Sequence, residues 1–213
     1  MNIQTIILAG GKGTRMLSQK AKVLQTLGGI TMLNHVITTA NKITNKISVV
    51  VGFDKEGVEK EIKSIGINAS IYLQKEQIGT ADAVKTTLNN VDEYEKVLVL
   101  YGDVPLIKEE TLKRLCNQES DLSILTTILE NPTGYGRVLK DKENNVLEII
   151  EERDADLEQK KIKEIFTGIL VAKGGILKKH IPEIDDNNSA KEYYLTDLIG
   201  IAYKNGFKIN TLS

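Results

Sequence analysis

Short apolar runs alternate with amphipathic stretches through the first 130 residues. Five runs rich in β-branched residues predict strands at 5–10, 47–53, 69–74, 97–103 and 122–129. Several of them are apolar at consecutive positions, which is typical of strands covered on both faces. Apolar residues at helical spacing lie between the strands, at 32–43, 56–66 and 110–117. This alternation predicts a largely parallel sheet with helices on both faces.

The pattern changes after residue 129. Residues 131–152 indicate a glycine-rich corner and then a polar-tipped hairpin, residues 164–173 one more strand, and residues 190–205 a last helix ending at Gly206. We therefore predict an α/β, Rossmann-like three-layer sandwich with a mixed, mostly parallel sheet and a small β-rich lobe. We expect a single domain over 1–213, made of two halves at 1–130 and 131–213.

Composition narrows the class of protein. The chain has 213 residues, of which 41% are hydrophobic and 27% charged, and its net charge is -1. These values are typical of a globular protein and provide no basic excess for nucleic acid or an anionic membrane. Cys116 is the single cysteine, which excludes an internal disulfide and favours a reducing compartment. We expect a cytoplasmic protein with neither a nucleic-acid nor a membrane partner.

The first predicted strand runs into a turn with three glycines, Gly10, Gly11 and Gly13. A Rossmann fingerprint would need glycine at position 16, and a Walker loop would need Ser or Thr at position 13, so neither motif fits. Glycines nevertheless allow the backbone amides to approach an anion. Arg15 adds a planar cation, and Lys22 is close enough in sequence to fold back on the turn. The alternative is a tight turn with solvent-facing cations, but the first-strand position favours a phosphate site.

A second signal lies at the end of the fourth predicted strand. Asp103 follows a buried run, and Pro105 then ends the strand. Mg²⁺ prefers oxygen ligands, so an aspartate facing a phosphate loop is a candidate metal ligand. Alone, a turn aspartate bonded to its own backbone would be the better interpretation. Beside the glycine turn, we predict a Mg²⁺ site at Asp103.

Motifs along nearly the whole chain resemble the nucleotide-sugar pyrophosphorylases. Within that superfamily, the sequence is most similar to the N-terminal uridylyltransferase domains of the bifunctional bacterial enzymes that make UDP-N-acetylglucosamine. The motifs that carry the resemblance are "LAGGKGTRM", "KVLQTLGG", "QKEQIGTADAV", "LYGDVPLI", "NPTGYGRV", "IIEERDA", "EIFTGILVA" and "EYYLTDLIGIAY".

The resemblance implies a role for each matching residue. It makes 1–130 the nucleotide-binding half and 131–213 the sugar-binding half. The implied nucleotide-binding residues are Leu8, Ala9, Gly10, Gly11, Gly13, Lys22, Gln74, Gly79 and Thr80. The implied sugar-binding residues are Tyr101, Gly102, Asp103, Gly136, Glu151 and Thr167. Arg15, Lys22 and Asp103 are the implied catalytic residues, and Asp103 is the implied Mg²⁺ ligand.

The reaction implied by the resemblance joins UTP and N-acetylglucosamine 1-phosphate, giving UDP-N-acetylglucosamine, a precursor of peptidoglycan and lipopolysaccharide, and pyrophosphate. A sugar phosphate is already an anionic nucleophile at neutral pH, so no general base is needed. Positioning and cations should therefore supply most of the catalysis. His35, His180 and Cys116 lie in patterns that favour structural roles.

Three departures from the family pattern bear on these expectations. Ala21 stands where the family has proline, and Phe166 stands where it has an asparagine that bonds the sugar. The sequence ends at Ser213, before a second metal contact and a left-handed β-helix that carries acetyltransferase activity in the family. We expect weakened Mg²⁺ binding and an altered sugar contact, and the oligomeric state stays open.

Two alternatives remain. The first is a nucleotidyltransferase that uses a different sugar phosphate or nucleotide, because cytidylyl- and guanylyltransferases open with similar glycine turns. The second is a domain that binds a nucleotide sugar with little turnover. Retention of Arg15, Lys22 and Asp103 favours catalysis, because a pure binding domain has little use for three converging charges.

Overall fold

The computed structural model describes residues 2–13 and 20–213. Arg15, a predicted catalytic residue, lies outside the described residues. The strands are β1 (Ile3–Ala9), β2 (Thr26–Leu27), β3 (Ile30–Thr31), β4 (Ile47–Val51), β5 (Ala69–Leu73), β6 (Lys96–Tyr101), β7 (Leu122–Ile128), β8 (Arg137–Lys140), β9 (Val146–Ile150), β10 (Glu164–Lys173) and β11 (Ile209–Leu212). The helices are α1 (Met32–Asn41), α2 (Lys55–Ile65), α3 (Thr80–Lys85), α4 (Glu109–Cys116), α5 (Gly174–His180) and α6 (Asp197–Lys204).

One mixed sheet dominates the described part of the chain. Its main path has the order β11-β7-β10-β6-β1-β4-β5, and the hairpin of β8 and β9 is attached through β10. The pairs among β6, β1, β4 and β5 are parallel, while β10 runs antiparallel to both β6 and β7. A small antiparallel pair of β2 and β3 stands apart. The predicted mixed, mostly parallel sheet is confirmed.

Helices cover both faces of this sheet. The buried residues of α1, α2 and α4 pack in one apolar cluster with Ile7, Val49 and Leu98. Those of α3, α5 and α6 pack in a second cluster with Ile6 and Val99. Neighbouring strand residues such as Ile6 and Ile7 therefore point to opposite faces and are both buried. Burial on both faces of the sheet explains why the strand sequences are apolar at consecutive positions.

The chain order reverses at β1. The connection through α1 leads from β1 to β4 on one side, whereas β6 pairs with β1 on the other side after the chain has passed through α3. Helices α1 and α3 contribute to different faces. Open α/β sheets bind ligands beyond the carboxyl ends of strands at such a switch point. The glycine turn after β1 and Asp103 after β6 both lie there.

The predicted last helix over 190–205 is wrong in its first half, because α6 begins only at Asp197. The N–H of Tyr193 donates to the carbonyl of Ile78, and its carbonyl accepts from Ala81. A residue whose backbone N–H and C=O are bonded to another segment does not form the backbone hydrogen bonds of a helix. The segment 190–196 therefore crosses to residues 78–81 before α6 begins. Within the described residues, no helix is long and apolar enough to cross a membrane.

The residues expected to be structural behave as expected. His35 Nε2 lies 3.0 Å from the carbonyl oxygen of Leu27. His180 is buried beside Phe207 and lies 2.7 Å from Glu183. Burial raises the pKa of the Cys116 thiol to about 11, so this side chain stays protonated and packed in the core.

Candidate active site

A pocket of about 310 Å³ opens at the switch point. It combines the glycine turn, the end of β6 and the start of α3. Its lining residues in the described part of the chain are Leu8, Gly10, Gly11, Gly13, Lys22, Val23, Gln74, Gln77, Gly79, Thr80, Ala83, Tyr101, Asp103 and Glu192. Most of the predicted nucleotide-binding residues are therefore brought together in one place.

Gly13 and Lys22 make the closest approach in the turn. Gly13 has a φ of +65°, and a Cβ built there would lie 2.6 Å from Lys22 Cβ. Glycine relieves both the backbone strain and this overlap. The predicted return of Lys22 to the glycine turn is confirmed, and it depends on the missing side chain at position 13.

Lys22 forms an ion pair with Asp103 across the mouth of the pocket. Its Nζ lies 2.6 Å from Asp103 Oδ2, and the two side chains are 42% and 25% exposed. Exposed ion pairs contribute only about 0–1 kcal/mol, so this pair exchanges readily for other partners. A phosphate for Lys22 and a cation for Asp103 are such partners.

Gln74 is buried on the opposite wall with a fixed amide orientation. Its Nε2 donates to the carbonyl of Gly79 and to Asp82 Oδ2, both at 2.9 Å. Both neighbours are acceptors only, so the amide nitrogen must face them. Oε1 is thereby turned towards Gly10, where a Cβ would lie 3.1 Å away from it. The pocket presents a buried acceptor at this wall.

Thr80 and Gly79 join the two halves of the chain at the pocket. Thr80 Oγ1 accepts from the N–H of Leu195 at 2.9 Å. Gly79 has a φ of +142°, and a Cβ there would lie 2.3 Å from the carbonyl oxygen of Tyr193. The segment around Tyr193 also brings Glu192 to the pocket rim. The sequence provided no signal for this crossing, because the residues involved are more than 100 positions apart.

Tyr101 lines the pocket at the end of β6. Burial raises the pKa of its hydroxyl well above the ordinary 10, and the charges of Glu151 and Asp103 add to that, while a hydrogen bond with Thr80 opposes it. Gly168 lies against the ring, where a Cβ would approach Tyr101 Cδ2 to 2.8 Å. Tyr101 is therefore neutral and held from both halves.

Glu151, predicted to bind sugar, does not line this pocket. Its Oε1 accepts from Thr196 Oγ1 at 3.0 Å, and burial raises the pKa of the carboxyl group. Gly136 lies beside it, where a Cβ would be 3.6 Å from Glu151 Oε1 and 2.8 Å from Ile149. Gly136 and Glu151 are brought together by the β8–β9 hairpin, as the resemblance implies.

Three other predicted site residues, Ala9, Gly102 and Thr167, do not line the pocket, and neither does Phe166. Ala9 is buried at the end of β1, and the N–H of Gly102 donates to the carbonyl of Leu8 at 2.9 Å. Thr167 Oγ1 donates to the carbonyl of Leu125 at 2.8 Å. Phe166 is 5% exposed and packs within the apolar cluster of Ile6 and Val99. The lining residues that sequence reasoning missed are Val23, Gln77, Ala83 and Glu192.

A Mg²⁺ ion can be held here chiefly by its substrate. No cluster of three His, Cys, Asp or Glu that could ligate a metal occurs among the described residues. Mg²⁺ in nucleotide sites commonly takes one or two carboxylates together with phosphate oxygens and water. Asp103, partly exposed at the pocket edge, supplies one such carboxylate.

The sequence profile of the MobA-like NTP transferase domain matches residues 5–160. The chain belongs to this family. It is similar to the bifunctional protein GlmU of Francisella tularensis subsp. novicida strain U112 and of subsp. tularensis strain SCHU S4, with 46% identity in each case. Each match covers 99% of this chain and 46% of the relative. The chain thus spans less than half the length of the curated relatives it matches.

A solved structure shows the same fold. A Bacillus anthracis protein assigned as a glucose-1-phosphate thymidylyltransferase, in complex with a sucrose, aligns with a TM-score of 0.77 and 21% sequence identity. The alignment covers 100% of this chain and 87% of that one. The predicted kinship with nucleotidyltransferases and the predicted fold class are both confirmed.

Proposed function

We propose that this NTP transferase domain is a sugar-1-phosphate uridylyltransferase. It would join UTP and N-acetylglucosamine 1-phosphate in the cytosol and release pyrophosphate, making a precursor of cell-wall polymers. The observation that carries the proposal is the convergence of Lys22, Asp103 and the glycine turn on one pocket. The motifs of the uridylyltransferase domains and the 46% identity with GlmU support it.

The orientation of Gln74 supports uracil as the base. Its amide nitrogen is fully used by Gly79 and Asp82, so only the acceptor Oε1 faces the Gly10 side of the pocket. The N3–H of uracil is a donor, whereas N3 of cytosine is an acceptor and would leave Oε1 unpaired. A buried polar group left without its partner discriminates strongly between ligands.

The glycine turn and Lys22 would hold the phosphates. Gly10, Gly11 and Gly13 line the pocket, and Lys22 is already positioned by its contact with Gly13. Arg15 is proposed as a second cation on the same substrate. When bound, Mg²⁺ would neutralise phosphate charge, with Asp103 as its protein ligand.

Residues on the far side of Tyr101 would bind the sugar phosphate. Glu151 is a partly buried carboxylate next to Gly136, and Tyr101 offers a neutral hydroxyl. Gly102 and Thr167 complete the proposed set, holding the end of β6 and the adjoining strand β10. The halves 1–130 and 131–213 would thus divide nucleotide and sugar between them.

Chemistry in such a site depends on positioning and charge. A phosphate oxygen of the sugar phosphate attacks the α-phosphorus of UTP, a new P–O bond forms, and the bond to the β-phosphate breaks with pyrophosphate leaving. The attacking oxygen carries no proton to remove. Lys22 and the glycine amides would stabilise the charge gathered at the α-phosphate.

The deciding experiment is pyrophosphate release from UTP with Mg²⁺ and N-acetylglucosamine 1-phosphate. Glucose 1-phosphate replaces the sugar in one arm, and CTP, GTP or ATP replaces UTP in the others. We expect release with UTP and the N-acetyl sugar, and an Asp103→Asn variant that requires more Mg²⁺. If UTP binds in calorimetry but no sugar phosphate supports release, the chain is a nucleotide-binding domain instead.

A different sugar is the second candidate. Phe166 places an apolar ring in the core and offers no hydrogen bond at the position where the uridylyltransferase domains carry asparagine. Release with glucose 1-phosphate and not with the N-acetyl sugar would select this candidate. The Phe166→Asn variant should then gain activity with the N-acetyl sugar.

A further inference from the structure

We infer that Asp54 is a positioning residue that sets the place of Lys22, and that it acts through the backbone of Ala21. The inference rests on the proposed role of Lys22. Asp54 lies in the turn between β4 and α2, whereas Lys22 belongs to the segment after the glycine turn. A hydrogen bond joins the two segments: the N–H of Ala21 donates to Asp54 Oδ2 at 3.1 Å across 33 residues.

The side chain of Asp54 does not cap its own helix. Asp54 is the N-cap residue of α2, a position where aspartate normally accepts from the first free N–H groups, yet its side chain makes no capping hydrogen bond. It also has the left-handed backbone conformation φ 55°, ψ 41°, which few residues other than glycine adopt. Its bond to Ala21 explains why the carboxylate lies over the first turn of α2 without capping it.

Gly57 makes room for this arrangement. A Cβ at position 57 would lie 2.6 Å from Asp54 Oδ1. Glycine inside a helix is unfavourable relative to alanine by roughly 0.5–1 kcal/mol. The first turn of α2 therefore lacks a side chain at the point where the carboxylate of Asp54 has to pass.

The same turn also fixes the other end of the glycine loop. The N–H of Phe53 donates to the carbonyl of Gly10 at 3.0 Å, and Lys12 Nζ lies 5.3 Å from the centre of the Phe53 ring. Phe53 and Asp54 thus contact the chain at positions 10, 12 and 21. The β4–α2 turn therefore contacts both ends of the glycine loop.

Ala21 transmits this contact to Lys22. Its side chain is fully buried, so the backbone at position 21 has little freedom to move as long as its N–H is held. Lys22 follows directly, with its Cβ against Gly13 and its Nζ on Asp103. Small misplacements of a charge-stabilising group lower rates steeply, so the bond to Ala21 should matter for turnover.

The conformation of Ala21 allows a specific test. Its φ of -53° is close to the value that proline imposes, and proline has no N–H to donate. In an Ala21→Pro background the backbone at position 21 is fixed without Asp54. The effect of removing the Asp54 carboxylate should therefore disappear in that background.

The experiment measures kcat and KM for pyrophosphate release in four proteins: wild type, Asp54→Gly, Ala21→Pro and the double variant. Glycine is chosen because it relieves the left-handed strain while removing the carboxylate. We expect kcat to fall about 10-fold in Asp54→Gly, because Lys22 would be misplaced. The lost hydrogen bond and the relieved backbone strain change thermal stability in opposite directions. Asp54→Asn, which retains an acceptor and tolerates the same backbone, should stay within about threefold.

In the Ala21→Pro background, Asp54→Gly should not lower kcat, since there is no N–H to lose and the proline Cδ would crowd Asp54 Oδ2 where the N–H stood. An equal loss in both backgrounds would overturn the inference and leave Asp54 with a general structural role. Unchanged kcat in Asp54→Gly would overturn it too.

A second measurement does not depend on turnover. Acylation of Lys22 by acetic anhydride, followed by peptide mass spectrometry, reports whether its amine is held by Asp103. We expect about 2–5-fold faster labelling in Asp54→Gly, the range of an exposed ion pair. If the wild type releases no pyrophosphate, the proposed function fails, and labelling alone decides on Asp54. Equal labelling in both proteins would then overturn it.

Discussion

The two sides of the pocket hold their charges in opposite ways. On the nucleotide side, Lys22 and Asp103 are partly exposed, form an ion pair and lie next to a glycine turn. On the proposed sugar side, burial raises the pKa of the Glu151 carboxyl, the charges of Asp154 and Glu192 add to the shift, and a hydrogen bond from Thr196 opposes it. The first arrangement can exchange partners easily, which suits phosphates that arrive and leave. The second is poorly solvated, which suits recognition of a neutral sugar by hydrogen bonds.

The largest expected effect is on the rate of the reaction and comes from removing Lys22, on the proposed nucleotide side of the pocket. Lys22→Ala should lower the rate of pyrophosphate release by roughly 10²–10³, the size typical for removal of one preorganised charge-stabilising group. Lys75→Ala is the matched control, because it removes an exposed lysine next to Gln74 that does not line the pocket. Similar rates in both variants would show that Lys22 contributes only general positive charge.

The second largest effect concerns the contact between Gly79 and Tyr193, where the two halves of the chain meet. Gly79→Ala places a Cβ 2.3 Å from the Tyr193 carbonyl oxygen, at a φ of +142°. We expect a loss of about 2–4 kcal/mol in the free energy of unfolding, because overpacking adds to backbone strain. Gly66→Ala is the control, since it has a φ of +73° and no atom within 4 Å. Gly66→Ala should lose only about 1 kcal/mol in the free energy of unfolding. Equal losses for the two variants in urea titrations would contradict a tight contact between Gly79 and Tyr193.

A third prediction concerns the base of the sugar-side hairpin. Arg137 is 1% exposed and its guanidinium lies 2.6 Å from Glu152 Oε2. Glu152→Gln should lower the free energy of unfolding by about 1–3 kcal/mol, because a buried cation loses its partner. Glu130→Gln, which removes the exposed partner of Lys163, is the control and should leave the midpoint of denaturant unfolding unchanged.

The Arg137 bond, with a backbone bond from Gly134, lowers the pKa of the Glu152 carboxyl. A depressed pKa in the folded state stabilises the protein above the ordinary 4.5 and loses that effect as pH falls. The difference between wild type and Glu152→Gln should therefore shrink in acid. A difference that stays constant down to about pH 3, below the ordinary range of a carboxyl group, would exclude a charge effect.

The smallest expected effect is a gain in the free energy of unfolding, where the two preceding variants lose it. Burial raises the pKa of Asp197 from 3.8 to about 6, and Asp185, Glu151, Asp154 and Glu148 add to the shift. The folded state binds this proton more tightly, so the contribution to stability is fully present below about pH 4 and is lost as pH rises through about 6. Asp197→Asn should therefore gain about 1 kcal/mol at about pH 7.5 and nothing at about pH 4, as measured by denaturant midpoints. An equal gain at both values would contradict the assignment.

Local sequence predicted much of the nucleotide side. Buried parallel strands leave consecutive apolar residues, and the glycines at 10, 11 and 13 indicate a close approach of backbone and ligand. The meeting of Lys22 and Gly13 follows from neighbouring positions in the chain. These features could be predicted because their physical cause lies within a short stretch of sequence.

Features that depend on distant segments could not be predicted in this way. Residues 190–196 have a helical pattern, yet Tyr193 bonds to Ile78 and Ala81, and this crossing brings Glu192 to the pocket. Asp54 is the N-cap residue of α2, and only the fold shows that its side chain bonds to Ala21 instead of capping the helix. In each case a tertiary hydrogen bond takes the place of a local one.

The antiparallel strand β10 has a consequence for how the chain is made. It lies between β6 and β7, although it is synthesised well after both of them. Until then, the facing backbone groups of β6 and β7 have no partner, and both strands are strongly apolar. Nascent chains that stop before residue 164 would leave open the edges of β6 and β7 that later pair with β10, and such edges invite pairing between molecules. Productive folding of the first half therefore has to await the arrival of β10, and stalled or truncated products should need chaperones to stay dispersed.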